Sequence, residues 1–294
     1  MTDSRGALRR TTEEIFTLYK LNPQFRDVIV EGRTDARWIR WFVNQLGIDA
    51  KVYAVDDRIH IDRATTLSFH RENNARGRVI AFAELLAKNG DISLCASAII
   101  DSDFDVIDRM RGEDVPNPSP LLRTDYPSIE VYAMDARPLS KFLTTVIDTD
   151  ESVETIYDDI VPVLQILFAV RFVIHRMGFT AKIPKKVAED MQILPDRVYL
   201  NHEDLLKRCT PSLTRDDLAR AAHETSALLA DFADGRGLSF AHGHDIAPVF
   251  AKYFRLANHM ARPEVLELHL MQSLELSDLH ATPMFQRLSE RLAD

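Results

Sequence analysis

Our expectation for the fold starts from the stretch Ala98-Ile99-Ile100-Asp101-Ser102-Asp103-Phe104-Asp105. It begins with apolar residues and then changes abruptly to carboxylates. Apolar runs of this kind are typical of buried strands in a parallel sheet. Ligands of open α/β sheets bind beyond the carboxyl ends of the strands, so these acidic residues mark an edge of the sheet where a ligand is expected.

A second stretch of the same kind lies about 70 residues earlier and reads Val28-Ile29-Val30-Glu31-Gly32-Arg33-Thr34-Asp35. Gly32 allows a tight turn after the strand, and Thr34 or Asp35 can cap the helix that follows. Between the two stretches, residues 51–55 and 77–88 have the patterns of a strand and a helix. This alternation predicts a parallel sheet, with residues 121–124 as a further strand and residues 56–74 as a polar loop.

The pattern changes beyond residue 140, where alternating strands are no longer expected. Helices are predicted over residues 150–177, 185–192, 213–232, 244–259, 263–274 and 278–292. We therefore predict an α/β protein, with a Rossmann-like parallel sheet flanked by helices in residues 1–140. Residues 141–294 are predicted to form a mainly helical region packed on it, which is where we expect a partner surface or a homodimer surface.

Three carboxylates are expected to come together at the strand ends. Glu31 follows the first strand, and Asp101 and Asp103 follow the later one. Asp101 and Asp103 are two residues apart, so in an extended chain their side chains face the same way. Carboxylates this close repel one another unless a cation neutralises them, and Mg²⁺ or Mn²⁺ suits such oxygen ligands. The alternative is structural: Glu31 at a helix N-terminus, and the aspartates in a turn.

Two further aspartates can extend this predicted metal site. Asp35 lies one helical turn after Glu31 and can bind a second metal ion, although it can equally well cap the helix. Asp105 continues the alternation of Asp101 and Asp103 and can complete the same site.

Basic and histidine side chains supply the candidates for substrate contact. Arginines cluster at Arg33, Arg37 and Arg40 and again at Arg71, Arg76 and Arg78, where they either line a phosphate path or form solvated surface. Late in the chain, His244 can contact phosphate or move a proton. Asp245 beside it is an accessory candidate, and the alternative for both is the start of a helix.

Composition and missing motifs exclude several classes of function. The net charge of −9 and the pI near 5.6 argue against tight, non-specific DNA binding but not against a nuclease. The two cysteines show no ligand spacing, so neither a disulfide framework nor a zinc site is expected. Phosphate-binding P-loop and nucleophile-elbow motifs are missing. Residues 1–10 are polar and the longest apolar run is short, so we expect a cytoplasmic protein without a signal peptide or membrane span.

The order of these motifs resembles the Toprim superfamily, whose members carry a Glu after the first strand and an Asp-x-Asp after a later one. A closer resemblance is to a Toprim-like family that includes the effector nuclease subunit of PARIS anti-phage defence systems; OLD-family nucleases are more distant. The similar segments are V-E-G-R-T-D at residues 30–35, I-I-D-S-D-F-D at 99–105, T-D-Y-P-S-I-E-V-Y at 124–132 and G-H-D at 243–245.

The resemblance implies more than the residues alone do. It places Glu130 near the acidic site as a further metal ligand, whereas the local pattern is also that of a helix start capped by Ser128. It makes Gly243 and Asp245 recurrent positions without giving them a role. It also implies a nucleic-acid substrate, either RNA such as tRNA or DNA. It further implies toxicity that leads to abortive infection, and an ABC-type ATPase partner that restrains the nuclease.

Three functions agree with the sequence to different degrees. The first is a Mg²⁺-dependent endonuclease that hydrolyses phosphodiester bonds, because carboxylates cluster at strand ends and no other nucleophile is evident. The second is a non-catalytic Toprim-like subunit that binds or regulates within an ATPase complex, which the acidic charge favours. The third, nucleotidyl transfer as in primases, requires nucleotide-binding elements that are not evident.

Overall fold

The structure is a computed structural model that describes residues 9–113, 115, 119–179, 187–194, 197–232 and 237–293. Up to residue 123 the elements are β1 (Arg10–Thr11), α1 (Thr12–Leu21), β2 (Asp27–Val30), α2 (Arg33–Gln45), β3 (Lys51–Ala54), α3 (Val55–Arg58), β4 (Ile59–His60), α4 (Arg63–Ser68), α5 (Ala75–Lys88), β5 (Ala96–Ile100), α6 (Asp105–Met110) and β6 (Leu121–Arg123). They are followed by α7 (Ala136–Phe142), α8 (Val153–Arg176), β7 (Gln192–Ile193), β8 (Val198–Tyr199), α9 (His202–Cys209), α10 (Arg215–Phe232), α11 (Gly243–Tyr253), α12 (Pro263–Ser273), α13 (Leu276–His280) and α14 (Pro283–Ala293).

The chain divides into two compact units. The first consists of Met1–Ser102, Glu113–Asp125 and Leu276–Asp294, and the second of Asp103–Gly112 and Tyr126–Glu275. The prediction of an α/β domain in residues 1–140, with a helical region in residues 141–294 packed on it, stays a prediction.

The first unit contains the predicted parallel sheet. Four strands run in the order β3-β2-β5-β6, and each neighbouring pair is parallel. Every residue of β2 and of β5 is buried, as expected for strands whose two faces are both covered. The α/β class with a parallel sheet flanked by helices is therefore confirmed.

Aromatic and aliphatic side chains cover the sheet from the flanking helices of the same unit. On α2, Trp38 and Phe42 are fully buried, and the ring of Phe42 lies 4.6 Å from that of Phe285 on α14. Val79 and Phe82 on α5 belong to a core cluster that also includes residues of β5. The apolar periodicity of these helices, read from the sequence, thus corresponds to buried faces.

Two local predictions about this unit are wrong. Residues 56–74 are not a loop, because they contain most of α3, the strand β4 that pairs with β1, and the helix α4. These elements are too short and polar for apolar periodicity to reveal them, although Asp62 caps α4 by accepting the Thr65 N–H at 2.6 Å. Residues 278–292 form two helices instead of one, since α14 begins at Pro283, a residue suited to the first turn of a helix.

The second unit is mainly helical, as the sequence predicts for the C-terminal region. Its longest helix, α8, is buried along much of its length, and Phe168 on it lies against the stacked rings of Phe232 and Phe240, whose centroids are 3.8 Å apart. Only helices were predicted for this region, so the small antiparallel pair of strands β7 and β8 was not expected. Of the predicted helix over 185–192, residues 185 and 186 lie outside the described residues, and Val187–Asp190 is a 3₁₀ turn.

Within the part of the chain that the structure describes, each helix is too short or too polar to cross a bilayer.

Candidate functional site

The two acidic stretches meet in the first unit because their strands are direct neighbours. β2 and β5 pair in parallel with Val30 opposite Ile99, so both strands end at the same edge of the sheet. Glu31 and Asp101 are the residues that follow. The backbone N–H of Asp101 donates a hydrogen bond to Glu31 Oε1 at 3.1 Å. The structure therefore places the backbone of Asp101 against the Glu31 carboxylate, and the prediction that the two carboxylates share a metal ion stays a prediction.

A guanidinium group lies against both of these residues. Arg76, near the start of α5, donates from Nη1 to the backbone carbonyl of Asp101, and the same nitrogen lies 3.5 Å from Glu31 Oε1. The side chains of Arg76 and Glu31 are only 20% and 21% exposed. Partial burial weakens solvent screening, so Arg76 is a substantial source of positive charge at the strand ends.

The other candidates near Glu31 have structural partners. Asp35 accepts the Gly32 N–H at 2.8 Å, which is the helix-capping role that the sequence left as an alternative. Arg33 forms a two-pronged ion pair with Asp57 at 2.9 and 2.7 Å. That carboxylate raises the pKa of Arg33, although most of the Arg33 side chain is exposed.

The chain beyond Asp101 is held to the neighbouring strand of the same unit. The backbone N–H of Ser102 donates to Thr124 Oγ1 at 2.8 Å, and the Ser102 hydroxyl donates to the Thr124 carbonyl. Ser102 and Thr124 are both buried. Since Thr124 begins the segment T-D-Y-P-S-I-E-V-Y, these bonds link two of the segments on which the family resemblance rests.

Asp103 and Asp105 belong to the second unit. Asp103 has a φ of 42°, in the left-handed region that few residues other than glycine adopt, and its N–H donates to the Pro127 carbonyl at 2.7 Å. Backbone held in this region is found at functional sites more often than elsewhere. Asp105 is the first residue of α6, where a carboxylate is favoured by the helix dipole.

Glu130 is buried in the second unit, close to Gly243 of the G-H-D segment. It is 2% exposed and lies in a 3₁₀ helix over Ile129–Met134, so the predicted α-helix start is a tighter turn. The Gly243 N–H donates to Ser128 Oγ at 2.8 Å. A Cβ atom at Gly243 would overlap both Ser128 Oγ and the Glu130 carboxylate, so glycine is required for this close approach.

The two other residues of the G-H-D segment have different environments. Asp245 is 1% exposed and accepts hydrogen bonds at 2.8 and 2.5 Å from the guanidinium of Arg171 on α8. His244 is exposed, with its Nδ1 atom 3.7 Å from Glu267 Oε1. Asp245 therefore forms a buried ion pair, whereas His244 remains accessible to solvent and to a ligand.

His242, immediately before this segment, was given no role from the sequence. Its Nδ1 atom is buried and has no hydrogen-bond partner among the residues that the structure describes. Burial lowers the pKa of His242 to about 4, with Asp245 opposing the shift. The imidazole is therefore neutral at physiological pH.

The chemistry of Glu31 and Asp101 fits a divalent cation. Mg²⁺ is usually bound through one or two carboxylates, with water and substrate phosphate completing its shell. In the described part of the chain, no group of three or more His, Cys, Asp or Glu side chains is arranged to hold a metal ion. A larger ligand set that includes Asp35, Asp103, Asp105 and Glu130 stays a prediction.

Sequence reasoning missed several residues that shape these sites. Arg76 was noted only as a member of an arginine cluster, and its contact with Glu31 depends on how α5 packs beside β5. Arg171 was also missed. An arginine within an apolar helix indicates a buried acidic partner, but the sequence does not identify which residue that partner is. Ser128 was proposed as a helix cap, and its hydroxyl instead accepts the Gly243 N–H.

No protein-family model matches the chain, and no curated protein matches it either. The Toprim-like resemblance therefore rests on the four quoted segments.

Proposed function

We propose that this chain is a divalent-metal-dependent nuclease of the Toprim type that hydrolyses phosphodiester bonds. The observation that carries the proposal is the hydrogen bond from the Asp101 backbone N–H to the Glu31 carboxylate, at the ends of two adjacent parallel strands. Carboxylates at this edge of an α/β sheet are where a metal ion and a phosphate ligand are expected.

Each residue near this pair has a defined task in the proposal. Glu31 and Asp101 hold Mg²⁺ or Mn²⁺. The bound ion supplies Lewis-acid activation of water and of the phosphoryl group. Arg76, whose guanidinium lies beside Glu31, neutralises the negative charge that a phosphate brings to the carboxylates. Asp103, Asp105 and Glu130 are proposed as further ligands.

The substrate and the partners come from the family resemblance alone. It favours RNA such as tRNA, with DNA as the other substrate class. It also favours a cytoplasmic effector of bacterial anti-phage defence whose toxicity an ABC-type ATPase restrains until infection. A homodimer is compatible with this arrangement, and the helical region is the surface proposed for either partner.

The test is a cleavage assay with purified protein. Wild type, Glu31→Gln and Asp101→Asn are incubated with total tRNA, single-stranded RNA, supercoiled DNA and linear DNA in Mg²⁺, Mn²⁺ or EDTA. We expect metal-dependent cleavage of one substrate class, and a loss of kcat/KM of at least about a hundredfold in either variant. Asp103→Asn, Asp105→Asn and Glu130→Gln, made singly, test the further ligands.

Asp49→Asn is the matched control. Asp49 is an exposed carboxylate of the same unit, paired with Lys51 at 2.8 Å on the surface. Its loss should leave cleavage unchanged. Full activity in Glu31→Gln, or cleavage that persists in EDTA, would disprove the proposed metal site.

A second function is favoured by Arg76. Its guanidinium gives the Glu31 carboxylate a cationic neighbour without any metal ion, as a purely structural role for this pair requires. The chain would then be a non-catalytic binding or regulatory subunit of an ATPase complex. Folded protein that takes up no Mg²⁺ in calorimetry, cleaves none of the four substrates and still binds its partner would establish this function.

A further inference from the structure

A pocket in the second unit gathers arginines around an aromatic ring. Its volume is about 310 Å³, at the lower end of the range of small-molecule sites. Arg111 directly after α6, Arg176 at the end of α8 and Arg220 on α10 contribute to its lining, together with Phe172 and the acidic Glu224. Three separate helices thus deliver positive charge to one concave surface.

Two of the arginines lie near the same aromatic ring. The guanidinium carbon of Arg111 lies 5.8 Å from the ring centroid of Phe172, and that of Arg176 lies 5.9 Å from the same centroid. Cation–π attraction to the ring favours the position of each guanidinium group. A bound phosphate would suit such groups, because guanidinium pairs with phosphate through two parallel hydrogen bonds.

The charge of the pocket runs against that of the whole chain. With three arginines and one glutamate, its lining carries a charge of about +2, whereas the chain carries −9. Arg220 pairs with Asp217 at 3.1 Å, but both side chains are solvent-exposed enough for this ion pair to be weak. The chain as a whole is therefore not expected to attract anions. The pocket is expected to attract them.

The rest of the lining is apolar. Phe172 and Leu228 are both buried, and Val173 and Met177 complete this part of the surface. Bare phosphate would leave these groups without a partner. A ligand that combines phosphate with a flat, weakly polar ring would use both parts of the pocket, since nucleobases pack on apolar side chains and on guanidinium planes.

We propose that this pocket binds a nucleotide, with its phosphate on the arginines and its base on the apolar lining. The same chemistry is present in a free mononucleotide and in one unit of a single-stranded RNA. Binding needs no bond cleavage, so the proposal holds independently of nuclease activity.

The experiment measures binding by fluorescence anisotropy in EDTA, where no metal-dependent cleavage takes place. The probes are fluorescein-labelled AMP and a labelled 12-nucleotide single-stranded RNA. Arg111→Ala and Arg176→Ala should each weaken binding about tenfold. Each substitution should also reduce the slope of the logarithm of the RNA-binding constant against the logarithm of salt concentration by about 1, because one phosphate contact is lost. Unlabelled AMP should compete better than inorganic phosphate, because phosphate lacks the base.

Arg215→Ala is the matched control. Arg215 is an exposed arginine of the same helix as Arg220 but does not line the pocket. The chosen arginines are all exposed, so the variants should fold normally, which thermal unfolding verifies. Tight binding of AMP alone identifies a free nucleotide as the ligand, and tight binding of RNA alone identifies a strand. Binding that the pocket variants leave unchanged, or no binding of either probe to folded protein, would overturn the proposal.

Discussion

Replacement of Gly243 by alanine is the sharpest test of the packing in the second unit. The added Cβ atom would lie 2.9 Å from the carboxyl carbon of Glu130 and closer still to Glu130 Oε2 and Ser128 Oγ. Carbon atoms in contact prefer about 3.5 to 4.0 Å, so one of the two segments must move. Ser128 and Glu130 are only 4% and 2% exposed, and they have little free space to move into.

The expected cost has two parts. Overpacking a buried site by one methyl group typically costs about 1 to 3 kcal/mol. The hydrogen bond from the Gly243 N–H to Ser128 Oγ would be stretched or lost, at about 1 kcal/mol more. We therefore expect the free energy of unfolding to fall by about 3 kcal/mol. For a unit of this size, the thermal midpoint should drop by roughly 6 to 12 °C.

The assay is thermal and urea unfolding followed by circular dichroism. Gly90→Ala is the matched control, because a Cβ atom at Gly90 meets no atom within 4 Å, and its cost should stay within about 0.5 kcal/mol. Adding Ser128→Ala to Gly243→Ala removes one of the overlapping atoms, so the two changes together should cost less than their sum. A Gly243→Ala variant as stable as wild type would refute the close approach of these segments.

Three further predictions concern buried charge and hydrogen bonding. The pKa of His242 is lowered to about 4 from an ordinary value of 6.5, so the unfolded chain binds more protons between these values. Stability should fall as the pH drops from 6.5 to 4, by about 3 kcal/mol in total, and His242→Gln should flatten this part of a urea-measured pH profile. Arg171→Met leaves the Asp245 carboxylate buried without its cation and should cost about 3 to 5 kcal/mol in urea unfolding, part of which Asp245→Asn restores; an additive double variant would contradict this coupling. Arg291→Ala removes the hydrogen bond to the Ser93 carbonyl and others within the first unit, and should cost about 2 kcal/mol in the same measurement; an unchanged midpoint would show that these bonds contribute nothing.

The strands that carry the acidic residues could be predicted because their signals are local. β2 and β5 are short apolar runs, and burial on both faces of a parallel sheet produces that pattern directly. The prediction that Glu31 and Asp101 meet used one further rule, that ligands gather at the carboxyl ends of strands, and their hydrogen bond agrees with it. Short polar elements such as α4 gave no such signal, because they bury few side chains.

The partners of the buried polar groups could not be predicted. Asp245 and Arg171 are 74 positions apart, and Gly243 and Ser128 are 115 apart. An apolar or charged pattern indicates that a residue needs a partner. It does not identify that partner, because residues so far apart in the sequence share no local pattern. The same holds for α14, whose pattern predicts a buried face without saying that the face packs in the first unit.

The sequence by itself determined the α/β class, the strands of the sheet and the pair of acidic residues at their ends. These follow from periodicity and from the geometry common to parallel sheets. Only the tertiary structure decided that Arg76 lies beside Glu31, that Gly243 approaches Glu130 closely, and that three arginines line one pocket with Phe172. Each of these depends on how separate helices and segments pack together, and packing is fixed by the fold of the whole unit instead of by any one segment.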